Sequence, residues 1–92
     1  MPQAQETFGQ ALRRLRRARG LSLRRLDELS GLSYSYLSML EVGVRMPARE
    51  TIGRLAQALQ LTGEQTSHLY LTMQALPPGD WLVREDGALI PV

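Results

Sequence analysis

Cysteine and lysine are both absent from these 92 residues, histidine and tryptophan occur once each, and no apolar run reaches membrane-spanning length. Each gap closes a class of explanation. Without cysteine there are no disulfides, no thiolate zinc sites and no cysteine nucleophile, which fits a reducing cytoplasm. One histidine, His68, cannot build an all-histidine metal site. A membrane helix needs about 20 apolar residues in succession, and the N-terminus MPQAQETFGQ lacks the charged-then-apolar plan of a secretory signal. The expectation is a cytoplasmic chain with no cofactor and no metal. Size narrows it further. A domain this short buries only about 60–65% of its unfolded surface, which suits one small core and speaks against a layered enzyme scaffold.

What the chain does have in quantity is arginine. All 11 basic residues are arginine against 9 acids, a net charge of +2, with an isoelectric point of about 9.7. Seven arginines lie between Arg13 and Arg25, whereas residues 61–92 hold one arginine and four acids. A basic N-terminal part beside a neutral-to-acidic C-terminal part suggests a face that meets a polyanion. The plainer reading is a solvated charged surface, and charge alone leaves both open.

Apolar spacing predicts an all-α domain of five helices over residues 1–76. Phe8, Ala11, Leu12, Leu15 and Ala18 share one helical face within 6–19, which Gly20 ends. Ser22 caps a two-turn helix over 22–30 with the stripe Leu23, Leu26 and Leu29, closed by Gly31. Ser33 caps a third helix, Tyr34 to Glu41, with Leu37 and Leu40 inward, and Gly43 ends it. Of Tyr34 and Tyr36 one belongs to the core, and Tyr36 is favoured. A fourth helix, about 49–59, turns Ile52, Leu55, Ala56 and Leu59 inward behind a poor cap, Ala48. Thr62 and Gln65 form a capping box for a fifth, with Leu69, Met73 and Leu76 on its inner face. The tail, 77–92, holds two short apolar runs around Asp86-Gly87, a hairpin turn signal, although Pro91 weakens the second run as a central strand.

Residues 22–41 therefore form two short helices joined by a tight glycine-containing turn, the helix-turn-helix unit. Its second helix protrudes, and a protruding helix fits the major groove of DNA, about 12 Å wide. The exposed early positions of that helix are Tyr34, Ser35, Ser38 and Met39. The segments LRRARGLS (15–22), SGLSYSYLSMLEVG (30–43), VRMP (44–47) and TIGRLAQALQL (51–61) together resemble the XRE family of Cro- and phage-repressor-type regulators. The resemblance covers about residues 6–60.

The resemblance implies a repressor-like DNA-binding domain, of bacterial or phage type, whose partner is double-stranded DNA. It places Tyr34, Ser35, Ser38 and Met39 at base edges, and Ser22, Ser33, Arg45 and Arg49 at phosphates. Within the arginine run, Arg24 is the expected phosphate contact. Arg16 and Glu41 match a buried inter-helix ion pair. Two positions depart from the family. Leu23 stands where glutamine is usual after the second-helix cap. Asp27 stands at a mid-helix position that favours alanine, and the carboxylate is expected to draw a donor from Ser35 or an arginine.

Other chemistry finds little support. Asp27, Glu28 and Glu41 have no nucleophile or metal partner spaced around them, so no enzymatic activity is expected, and His68 reads as an ordinary surface residue. A reading helix of two turns contacts few base pairs, so a homodimer on a two-fold site is expected. Leu69, Met73, Leu76, Trp81, Leu82, Val83, Leu89 and Ile90 are the candidate dimer interface. Two alternatives stand beside these: the tail folds over its own helices, or the domain is an adaptor or antitoxin-like component whose C-terminal third binds a protein.

Overall fold

The structure, a computed structural model, describes residues 6–74 and two short strands, 81–83 and 89–91, with side chains described over 6–73. Five helices follow in order: α1 (Phe8–Ala18), α2 (Leu23–Ser30), α3 (Tyr34–Val42), α4 (Arg49–Ala58) and α5 (Gly63–Gln74). Local chemistry sets most of their ends. At α1 the Gln10 N–H donates to Thr7 Oγ1 at 3.1 Å and the Thr7 N–H to Gln10 Oε1 at 3.0 Å, a capping box. Thr62 and Gln65 repeat the exchange at the start of α5. Ser22 and Ser33 cap α2 and α3 by accepting from the Arg25 and Tyr36 amides, while Ala48 offers α4 no side-chain cap. Gly31 and Gly43 end α2 and α3 in the left-handed region, at φ 74° and 87°.

The core is continuous across all five helices. Phe8, Ala11, Leu12 and Leu15 of α1 meet Leu26 of α2, Leu37 and Leu40 of α3, Ile52 and Leu55 of α4, Leu59, and Leu69 of α5. Helix α1 packs on α3 and α5, α2 on α3 and α4, and α4 on α5. Where α1 crosses the end of α3 the backbones touch. A Cβ on Gly9 would stand 2.4 Å from the Glu41 carbonyl oxygen and 2.6 Å from that of Leu40. Only hydrogen fits there.

Two expected core positions face solvent instead. Leu29 is 45% exposed. Steps of three residues fall short of a full turn by about 60° each, so the stripe from Leu23 through Leu26 has rotated off the core by Leu29. Ala18, in the last turn of α1, is also exposed. Tyr36 packs against the core and Tyr34 does not.

In the tail, β1 (Trp81–Val83) and β2 (Leu89–Pro91) pair antiparallel, with Leu82 opposite Ile90 and Pro91 opposite Trp81 at the end of the ladder. A terminal, edge position is where proline costs a ladder least. The turn signal Asp86-Gly87 lies outside the described residues.

Candidate nucleic-acid interface

Helix α3 is divided along its length. Leu37, Leu40 and Glu41 are buried and fix its C-terminal half, whereas Ser33, Tyr34 and Ser35 at its start are exposed. Ser38 and Met39 are half-buried beside them. Val42 and Val44 close the helix on its outer side, with the Gly43 and Val44 amides both donating to the Met39 carbonyl at 3.1 Å. The result is a helix anchored at its end and displayed at its beginning.

The anchor is ionic. Glu41 is 7% exposed. Its carboxylate accepts from Arg16 Nε at 2.7 Å and Arg16 Nη2 at 3.1 Å, and from Arg13 Nε at 3.2 Å. Arg16 also donates through Nη1 to the Leu21 carbonyl at 2.7 Å, so one guanidinium joins α1, the loop before α2 and the end of α3. The Glu41 hydrogen bonds push the Arg16 pKa up, further securing its charge. The buried carboxylate has its donors, as a charge out of water must.

A second polar contact positions the start of α3. The Tyr34 N–H donates to Asp27 Oδ2 at 2.8 Å. The expected donors for Asp27, Ser35 or an arginine, are not the ones used. The physical reason is that a helix N-terminus presents unpaired amides and positive dipole, and Asp27 lies directly across the turn from it.

The arginines differ in how far they are committed. Arg24 and Arg45 are exposed, and their guanidinium groups make no hydrogen bond or ion pair among the described residues. Arg49, at the first position of α4, lies 5.7 Å from the Tyr70 ring centroid, a cation–π distance that leaves its outer edge in water. Arg25 pairs with Glu28 at 2.7 Å within α2. Ser22 and Ser33 each accept one capping hydrogen bond through the hydroxyl oxygen, and each hydroxyl hydrogen is still free to donate outward. Arg54 was not singled out by its sequence position, yet its Nη1 would stand 3.8 Å from a Cβ on Gly31, beside the turn.

Glu6 binds Arg14 through two hydrogen bonds, at 2.8 and 3.0 Å, and lies 2.8 Å from His68 Nε2. Arg14, with His68 adding to it, holds the Glu6 carboxyl down at about 2. His68 thus ties α5 to the segment before α1. Among the described residues no three of His, Asp and Glu converge as a metal site requires, and no helix is long and apolar enough to cross a membrane.

The candidate dimer positions are only partly within reach. Leu69 is fully buried in the chain's own core, so it has no surface to offer a second copy. Met73 is half-buried against that core. Leu76 and the side chains of Trp81, Leu82, Val83, Leu89 and Ile90 lie outside what is described. Leu71, two residues beyond Leu69 and so on the opposite side of α5, is 64% exposed.

Comparison with known families agrees with this geometry. Residues 7–69 match the family profile described as a helix-turn-helix domain. This chain belongs to the helix-turn-helix family of transcriptional regulators. Helix-turn-helix relatives include an uncharacterized HTH-type transcriptional regulator of Mycobacterium tuberculosis, 35% identical over 78% of this chain and 49% of the relative. The HTH-type transcriptional repressor RghR of Bacillus subtilis is 42% identical over 64% of this chain and 44% of its own length. Among solved structures, the clp gene regulator ClgR from C. glutamicum superposes with a TM-score of 0.63 at 31% identity, covering 80% of this chain and 92% of that one. The chain spans about half the length of these curated relatives.

Proposed function

We propose that this chain is a sequence-specific double-stranded DNA-binding transcriptional regulator that reads the major groove with the first turns of α3. The observation that carries the reading is the division of α3: a back face locked by Leu37, Leu40 and Glu41, and a front of exposed Tyr34 and Ser35 with half-buried Ser38 and Met39 beside them. Hydroxyls on that front reach base edges, and the Met39 side chain suits a thymine methyl. Arg24, Arg45 and Arg49 supply phosphate contacts, together with the outward hydroxyls of Ser22 and Ser33. Membership of a family of transcriptional regulators supports the assignment. Such a regulator works where the chromosome is, in the cytoplasm of a bacterial cell.

Two copies would read two half-sites about 34 Å apart, one turn of DNA. The C-terminal part supplies the proposed interface, through the exposed Leu71 and the paired strands 81–83 and 89–91. A two-stranded ribbon has two open edges and is only marginally stable alone, so pairing with a second copy stabilises it.

Selection of bound sequences from random duplex DNA with the purified chain tests the reading. A recovered two-fold motif with half-sites one helical turn apart supports it. Recovery of no preferred sequence overturns it.

A further inference from the structure

Three residues, Gly31 to Ser33, separate α2 from α3, and the first of them is a left-handed glycine. A link this short limits the distance between the two helices. It does less to fix the angle, because Ser33 caps α3 locally and ties it to nothing in α2. Asp27 supplies that tie. Its backbone carbonyl accepts the Gly31 N–H at 2.9 Å, closing α2, and its carboxylate accepts the Tyr34 N–H at 2.8 Å, opening α3. One residue therefore grips the turn from both sides. Among the described residues this is the one side-chain hydrogen bond that joins α2 to α3.

We infer that Asp27 is a positioning residue for sequence discrimination: its bond to the Tyr34 amide sets the pose of the first turn of α3, from which Tyr34 and Ser35 project. The inference rests on α3 being the reading helix. Hydrogen bonds to base edges weaken steeply as their angle departs from linear, so a small swing of the first turn degrades them. Phosphate contacts from exposed arginines ride on long, flexible side chains and tolerate the same swing. Asp27 therefore acts on discrimination and leaves general DNA affinity nearly untouched. Its charge adds to the hold, since a carboxylate at a helix N-terminus is favoured by the helix dipole. The hydrogen-bond acceptor, which asparagine also carries, supplies the geometry.

The test compares the full chain with Asp27→Ala and Asp27→Asn. Two quantities are read: the ratio of affinities for the selected duplex and a scrambled one, with its salt slope, and the hydrogen-exchange protection of the Tyr34 amide. Asp27→Ala should lower the affinity ratio by about tenfold, the discrimination of one well-made base contact. The salt slope should stay as in the unmodified chain, and Tyr34 amide exchange should speed up severalfold. Asp27→Asn should rescue most of both. An unchanged ratio in Asp27→Ala, measured well below its melting temperature, overturns the inference while leaving the reading helix in place. An equal loss in Asp27→Asn overturns it too, since charge rather than the hydrogen bond would then matter. If the unmodified chain shows no preference between duplexes, the functional reading fails first, and the exchange data still report whether Asp27 holds the turn.

Discussion

Replacing Glu41 with alanine removes one carboxylate from beneath the junction of α1 and α3. Breaking a buried ion pair from one side costs about 3–5 kcal/mol, because the remaining charge is stranded. The structure decides where in that range this site falls. The Arg16 side chain is 12% exposed and keeps its bond to the Leu21 carbonyl, so its guanidinium is not wholly abandoned. The Arg13 side chain is 45% exposed and turns into water at little cost. The lower end, about 3 kcal/mol, is therefore expected. In a domain of this size each kcal/mol moves the melting temperature by about 4–8 °C, so Glu41→Ala should melt roughly 12–24 °C below the unmodified chain. Total stability is only roughly 5–15 kcal/mol, so the change takes a large share of it. Thermal unfolding followed by circular dichroism at pH 7 measures the effect, with Glu41→Gln as the partial case that keeps an acceptor without the charge. A shift for Glu41→Ala smaller than about 4 °C, the effect of a single kcal/mol, would refute the claim that this pair anchors α3.

Other outcomes follow from the same geometry. Gly9→Ala forces a methyl against two carbonyls and should cost about 1–3 kcal/mol, whereas Gly53→Ala, in α4 with open space around it, should gain about 0.5–1 kcal/mol; melting curves of the two should move in opposite directions. Glu6 titrates at about 2 when folded against an ordinary 4.5, so its contribution is complete above 4.5 and is lost as pH falls toward 2. Melting temperature should therefore decline across that interval, and less steeply in Glu6→Gln. Arg45→Ala should weaken binding to all duplexes alike and lower the salt slope by about one unit at most. Truncation after Ala75 should convert a dimer to a monomer by solution mass; a dimer that survives truncation would exclude the paired strands from the interface.

Helix boundaries were readable because their signals are local. Ser22, Gly31, Ser33, Gly43 and the Thr62–Gln65 pair each act within a few residues of their own position, so spacing alone reveals them. The Arg16–Glu41 contact, 2.7 Å across 25 positions, came from family resemblance instead, since no local rule links residues so far apart. Where tertiary geometry decides, the residues alone were insufficient. Gly9 looks like any helix glycine until α3 crosses it. Asp27 announced an unmet acceptor, but the choice of the Tyr34 amide over an arginine depends on how α2 and α3 face each other. Leu69 and Leu71 stand two residues apart on α5, one in the core and one in water, and apolar character cannot distinguish them without the helix's rotation. The Thr7–Gln10 box was open to inspection, being the same motif as Thr62–Gln65.

In the proposed binding mode the start of α3 chooses the sequence while arginines around it hold the backbone. This mode is tested most directly by measuring, across a salt series, the affinity of the unmodified chain and of a Tyr34→Ala, Ser35→Ala double variant for the selected duplex and for a scrambled one. The unmodified chain should prefer its selected duplex, the double variant should lose the preference, and both should show the same steep decline with salt. Retention of the full preference by the double variant would contradict this binding mode.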